Sequence, residues 1–374
     1  MRYLNIMLKP ASSLCNLRCK YCFYADVASH RDIKSYGLID ENSTNLILNN
    51  IFSDLEPGDR VNIAFQGGEP TLSGLSYYKF FIDAVNKVKK DVTVTYALQT
   101  NATTLDDEWC LFLKDNRFLV GVSLDGPEQM HNMCRVNAEQ KGTFKDVMVT
   151  VKKLQQYSVD FNLLMTLTNT LAKHPTQVWN FITANDFRYV QFTPCLAPFD
   201  DTGKDPYALT PQKFADFYIQ IFNYWKKELD AHNYYSIKLF DDIVNLLAFR
   251  QVNACGLIGN CSSQIVVEAD GSVFPCDFYT LDQWCLGNLT QENIAHIFSS
   301  PRINEFITRP RKRELCSNCK YNRICNGACH RMQPNICYKE GASVCGYRKF
   351  LDATINQFLQ IAQRERNFTP PSAR

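Results

Sequence analysis

Sixteen cysteines lie in this 374-residue chain, and their spacing limits its possible fold more than any other feature. Cys15, Cys19 and Cys22 form a C-x3-C-x2-C triplet, and ten more cysteines fall between Cys255 and Cys345. Disulfides account for them poorly. The chain is far larger than the small secreted domains that depend on such bridges. Residues 1–8 make too short an apolar run for an export leader, and they end at Lys9-Pro10 without a cleavage-like site. A cytoplasmic setting is therefore expected, where thiols stay reduced and clustered cysteines favour metal.

Composition excludes several classes. Lys plus Arg number 40 against 38 Asp plus Glu, a formal charge of +2, so no broad field marks the chain for nucleic acid or an anionic membrane. The short basic run Arg309, Arg311, Lys312 and Arg313 reads as a solvated helix end. No stretch approaches the ~20 apolar residues that a bilayer span needs. No nucleic-acid or membrane partner is expected.

Short apolar strands alternate with amphipathic helical stretches through the first two-thirds. Strands are expected at 4–8, 62–66, 93–99, 118–123, 162–168 and 189–194, with helices at 41–52, 76–88, 106–114, 144–157 and 175–184. That alternation argues for parallel strands with right-handed crossovers, hence an α/β barrel or open sheet; six units are fewer than the eight of a full barrel. Beyond about residue 200 the pattern changes. Helices are expected at 211–227 and 237–250, a hairpin at 264–267 and 273–275 around Asp270-Gly271, and a final helix near 347–364. The cysteine-rich segment has few long periodic runs, and metal ligation would supply the stability it lacks.

The triplet follows the first strand, at the strand end where barrel enzymes place their chemistry. Three thiolates in one loop suit three irons of a cubic four-iron cluster and leave the fourth open to a ligand. A closed zinc site would want a fourth ligand, and His30 is the nearest candidate. Phe65-Gln66-Gly67-Gly68-Glu69-Pro70 ends the second strand. Two glycines there let backbone approach a ligand closely, and the carboxylate after them can accept from an ammonium.

Together these features resemble the radical S-adenosylmethionine superfamily. The resemblance implies a partial (β/α)6 TIM-type barrel over about residues 1–200, with S-adenosylmethionine bound through its amino and carboxylate groups at the open iron. An electron from the cluster would then release a 5′-deoxyadenosyl radical that takes hydrogen from the substrate. It implies cofactor contacts at Tyr21, Gly67, Gly68, Ser123, Arg135 and Leu196.

The C-terminal cysteines repeat the lesson. Cys261 and Cys276 bracket Gly271, and Cys316, Cys319, Cys325 and Cys329 precede Cys345, with Cys255 as an eighth. Read alone, Cys316-x2-Cys319 is also a common zinc half-site. The whole pattern is similar to the auxiliary-cluster extension called the SPASM domain. By that resemblance Cys255, Cys261, Cys276 and Cys329 bind one four-iron cluster, and Cys316, Cys319, Cys325 and Cys345 another, for three [4Fe-4S] clusters in all. The resulting division is 1–200 barrel, 201–254 helical connector, 255–350 SPASM domain, and 351–374 C-terminal helix and tail. Cys110, Cys134, Cys195, Cys285 and Cys337 fit neither pattern.

Asp277 follows Cys276 directly. A loop carboxylate is ordinarily solvated or a cap, yet one tied to a cluster ligand is held in place and can be tuned as a base by desolvation. Tyr24, two residues past the triplet, is a candidate for lining the substrate cavity.

Within the superfamily the opening Lys9-Pro10-Ala11-Ser12-Ser13, Cys22-Phe23-Tyr24, Gln99-Thr100-Asn101, Ser123-Leu124-Asp125-Gly126-Pro127 and Phe274-Pro275-Cys276-Asp277 resemble anaerobic sulfatase-maturating enzymes. That resemblance implies oxidation of the Cys or Ser in a sulfatase Cys/Ser-x-Pro-x-Arg segment to Cα-formylglycine, with Asp277 as base and a flavodoxin- or ferredoxin-type reductant. Two other readings stand beside it. One is a SPASM enzyme that crosslinks or epimerises a ribosomally made peptide. The other is a non-catalytic electron-transfer module, which needs neither an open cluster nor a barrel.

Overall fold

The computed structural model describes residues 1–251, 255–259, 261–309, 315–339 and 341–368. Among them ten strands run in chain order: β1 Tyr3–Leu8, β2 Arg60–Phe65, β3 Thr93–Thr100, β4 Leu119–Ser123, β5 Phe161–Leu167, β6 Tyr189–Pro194, β7 Ser236–Ile237, β8 Ile265–Val267, β9 Ser272–Phe274 and β10 Gly287–Asn288. The six expected parallel strands are β1–β6, and the expected hairpin is β8–β9. Contacts divide the chain into two compact units.

The first unit holds residues 1–123, 132–161 and 262–309. Its strands lie in the order β10-β9-β8-β1-β2-β3-β4. β1 pairs in parallel with β2 on one side and β8 on the other, with Leu8 opposite Phe65 and Val267. β8 and β9 are antiparallel, Val267 facing Val273, and Gly271 turns between them at φ +86°, which an L side chain rarely adopts. Strand β2 alternates buried and half-exposed residues, and its inward Phe65 packs on Tyr78 and Phe81 at ring separations of 4.8 and 4.9 Å. Helices start where capping side chains allow. Asp106 accepts from Trp109 N at the head of Asp107–Asp115, and Asp40 does the same for Ser43 N at Glu41–Phe52.

The second unit holds residues 124–131, 162–261 and 310–374. Here β5, β6 and β7 pair in parallel. Helices Pro211–Asp230, Lys238–Phe249 and Gly346–Phe368 bury an aromatic cluster in which Phe222 meets Phe358 at 4.7 Å and Trp225 meets Phe240 at 5.1 Å. Trp225 donates its indole N–H to Tyr235 O at 2.7 Å, so the one polar atom of that large side chain is satisfied. None of the described helices is long and apolar enough to cross a membrane.

One sequence expectation fails here. Arg309 is not a solvated end: its guanidinium lies 3.8 Å from the Phe306 ring centroid, 4.2 Å from Tyr279 and 5.1 Å from Trp284, and it donates to Phe306 O. A weakly hydrated cation prefers aromatic faces to water when they are within reach. Arg311, Lys312 and Arg313 lie outside the described residues.

Candidate functional site

The triplet loop leaves β1 and is pinned from both sides within the first unit. Arg18 N donates to Val136 O at 2.7 Å and Lys20 N to Cys134 O at 3.0 Å. Cys22 caps helix Phe23–Ser29, its sulfur accepting from Ala25 N at 3.4 Å, while Cys15 Sγ accepts from Leu17 N at 3.3 Å. Asn101 Nδ2 approaches the Cys15 sulfur at 3.9 Å and holds Asn16 at 2.8 Å. His30 ends the same helix with Nδ1 against Asp26 O, 2.8 Å away, so it is engaged at the far end from the thiols.

Gly67 and Gly68 press on the lead of this loop. Gly68 N donates to Ser12 O at 2.8 Å and Glu69 N to Leu14 O at 2.7 Å. A Cβ on Gly68 would sit 2.0 Å from Leu14 O, and one on Gly67 2.9 Å from Ser12 O. These glycines thus seat the cysteine loop itself by a close approach to its backbone. Glu69 is likewise engaged within the protein. Its carboxylate is wholly buried and accepts from Thr71 Oγ1 at 2.7 Å, Thr100 Oγ1 at 2.8 Å and Asn101 N at 2.7 Å, tying the ends of β2 and β3 together. Burial raises its pKa, against those hydrogen bonds.

Side chains that follow three strands of this sheet meet at Asp277. Lys9 follows β1, Gln66 follows β2, and Asp277 follows the hairpin. Lys9 Nζ lies 2.5 Å from Asp277 Oδ1, and Gln66 Nε2 donates to Asp277 Oδ2 at 3.0 Å. The Lys9 ammonium also stands 3.8 Å from the centroid of the Tyr24 ring. The Tyr24 hydroxyl donates to Glu268 Oε1, which takes a second bond from Arg31 Nη1 at 2.8 Å. Lys9, Arg31, Glu268 and Tyr24 are all buried, and Tyr24 has its pKa driven well above the usual phenol value, chiefly by that burial. Two buried cations thus face two buried carboxylates around one tyrosine. Lys9 and Gln66 stand within sequence motifs that assign them no role, and no motif marks Arg31 or Glu268. A lysine at the end of a buried apolar strand was the available signal.

Two further contacts involve the remaining first-unit candidates. Arg135 stands 5.5 Å from the centroid of the Tyr21 ring, and Gln99 Nε2 donates to Ser123 Oγ at 3.0 Å. Leu196 belongs to the second unit, where it is buried beside Cys195.

The second unit gathers most of the C-terminal cysteines. Cys316, Cys319, Cys325 and Cys345 line one cavity together with Cys337 and Arg348. Cys329 N donates to Gly256 O at 2.7 Å, which brings it beside Cys255, and Cys261 is close enough to act on the Cys255 thiol. Gly259, at φ +65°, makes this possible: a Cβ there would meet Asn326 O and Cys325 O at 2.6 Å. Cys276, the fourth residue of that set, stands in the first unit immediately before Asp277.

These donor sets fit iron–sulfur clusters. Five thiols line one cavity, four of them from the ligand pattern. Burial pushes Cys15, Cys255 and Cys325 up to about 11, so near neutral pH each keeps its proton until a metal's positive charge replaces it. Amide N–H groups aimed at Cys15 and Cys22 are the contacts that cluster sulfurs use.

Comparison with known proteins points the same way. A model of the radical SAM superfamily matches residues 10–174, and one described as an iron–sulfur cluster-binding domain, SPASM, matches 255–320. The chain is 36% identical to the cysteine-type anaerobic sulfatase-maturating enzyme of Clostridium novyi, over 97% of this chain and 98% of that one. The serine-type enzyme of Bacteroides thetaiotaomicron is 29% identical over 87% of this chain and 82% of its own. A solved structure of native anSMEcpe with bound AdoMet and Cp18Cys peptide is 34% identical, with a TM-score of 0.89 over 97% of this chain and 99% of that one.

Proposed function

The chain belongs to the anaerobic sulfatase-maturating enzymes of the radical SAM superfamily, and from that membership we propose that it oxidises the active-site cysteine of a sulfatase to Cα-formylglycine, with Asp277 as the base. It is an enzyme that works with three [4Fe-4S] clusters and S-adenosylmethionine. A cysteine substrate is favoured over serine because the relatives named cysteine-type share 34 to 36% of residues with it and those named serine-type 27 to 29%.

When bound to the open iron of the triplet cluster, S-adenosylmethionine supplies a radical able to take hydrogen from an unactivated carbon. Cys15, Cys19 and Cys22 would hold that cluster, and Gly67, Gly68, Tyr21, Ser123, Arg135 and Leu196 are proposed to border the cofactor. Cys255, Cys261, Cys276 and Cys329 would hold one auxiliary cluster; Cys316, Cys319, Cys325 and Cys345 the other. Reaching the aldehyde level removes one hydrogen from Cβ, one proton from the thiol and one further electron, and water then replaces sulfur. The proton is what this chain's side chains handle. Asp277 is held by Lys9 on one oxygen and Gln66 on the other, which fixes where the acceptor points. Tyr24 backs Lys9 with its ring and is proposed to form part of the cavity wall.

The Lys9–Asp277–Gln66 arrangement carries this reading, since a solvated loop carboxylate would not be gripped at both oxygens. The proposed substrate segment is Cys-x-Pro-x-Arg, the reductant a flavodoxin- or ferredoxin-type donor, and the setting cytoplasmic. The division at 1–200, 201–254, 255–350 and 351–374 is proposed with it; the matches to 10–174 and 255–320 support its first and third parts. Anaerobic incubation with a Cys-x-Pro-x-Arg peptide, followed by mass spectrometry, tests it. Formylglycine is expected; a thioether crosslink or an epimerised residue would favour a peptide-modifying enzyme instead.

A further inference from the structure

Five thiols, not four, line the cavity of the second unit, and the fifth has no place in the ligand pattern. Cys337 is 1% exposed and lines this cavity together with Cys345, and its sulfur donates to Gly327 O at 3.8 Å. The next residue, Tyr338, is 3% exposed and its hydroxyl lies 3.8 Å from the Cys316 sulfur. Adjacent residues therefore stand at the cavity of the four cysteines assigned to that cluster. Helix Gln333–Ile336 fixes them there: Cys337 N and Tyr338 N both donate to Gln333 O, and Gly346 N donates back to Cys337 O at 2.7 Å.

We propose that Cys337 and Tyr338 are positioning residues for the cluster held by Cys316, Cys319, Cys325 and Cys345, donating S–H and O–H hydrogen bonds to the Cys345 and Cys316 thiolates and raising that cluster's reduction potential. A metal-bound thiolate carries more negative charge than a backbone carbonyl, so the Cys337 proton turns to Cys345 rather than to Gly327. Each added electron falls partly on the sulfurs, so a donor aimed at them favours the reduced form. This inference rests on the cluster assignment and not on the substrate.

The test is a redox titration of the reconstituted holoenzyme, followed by electron paramagnetic resonance, beside iron analysis. With full iron content, Cys337→Ala should lower the reduced-to-oxidised ratio of one auxiliary cluster on the order of tenfold at fixed potential, about 59 mV for a one-electron couple. Cys337→Ser, which keeps a donor, should restore much of it, and Tyr338→Phe should shift the same cluster in the same direction. An unmoved curve at full iron would overturn the proposal. Loss of about four irons in Cys337→Ala would also overturn it, by making Cys337 a ligand. If the alanine variant does not accumulate, Tyr338→Phe decides alone. A downward shift supports the proposal, and an unchanged curve with full iron contradicts it.

Discussion

Lys9 Nζ and Asp277 Oδ1 stand 2.5 Å apart, with the lysine side chain wholly out of solvent. They are separated by most of the chain and meet because β8 pairs in parallel with β1. The pair joins the end of β1 to the segment that follows the β8–β9 hairpin, within the first unit.

Breaking it should be costly. Lys9→Met keeps the volume but leaves a buried carboxylate without its cation, which typically costs about 3–5 kcal/mol. Denaturant unfolding under anaerobic conditions should show a loss of that order, with formylglycine formation reduced more than S-adenosylmethionine cleavage. A stability change under about 1 kcal/mol would mean that the pair is solvated in practice.

Cluster content follows from eleven cysteines in sets of three, four and four. Anaerobic iron and sulfide analysis should each approach about twelve per chain. A value near four, with stoichiometric zinc, would remove the auxiliary clusters.

Replacing Cys15, Cys19 and Cys22 with Ala should abolish reductive cleavage of S-adenosylmethionine and leave about eight irons. The triplet is the set proposed to leave an iron open. Persistent 5′-deoxyadenosine would place the chemistry elsewhere.

The apo-protein should weaken in alkali. Cys15, Cys255 and Cys325 titrate near 11 in the fold against 9.0 for an ordinary thiol. Between those values the folded chain keeps protons that the unfolded chain has shed. The stability these thiols contribute is therefore complete below pH 9 and is lost as pH rises through 11. Urea midpoints of apo-protein should fall across that window. Midpoints that rise would reverse the sign.

Local pattern made much of this fold legible. The six strands are where alternation places them, and helices Glu41–Phe52 and Pro175–Ala184 match their periodicity end to end. Elements of only a few residues were not legible: Phe23–Ser29 and β10 are too short to show a period, and β10 exists only through its pairing with β9. Candidate ligand cysteines and Asp277 could be singled out because spacing and motif survive in one dimension. The Arg31–Glu268 pair could not, since 237 residues separate its members and burial alone makes it significant. Arg309 shows the same limit, its aromatic surroundings coming from residues 279, 284 and 306.

The central claim is tested most directly by Asp277→Asn, assayed anaerobically against a Cys-x-Pro-x-Arg peptide with 5′-deoxyadenosine and formylglycine measured in the same mixture. Asn keeps the shape and can still meet Lys9, but it cannot take a proton. The account predicts unchanged iron, continuing 5′-deoxyadenosine formation, and formylglycine reduced by on the order of 10² to 10⁴. Formylglycine produced at the wild-type rate would contradict it.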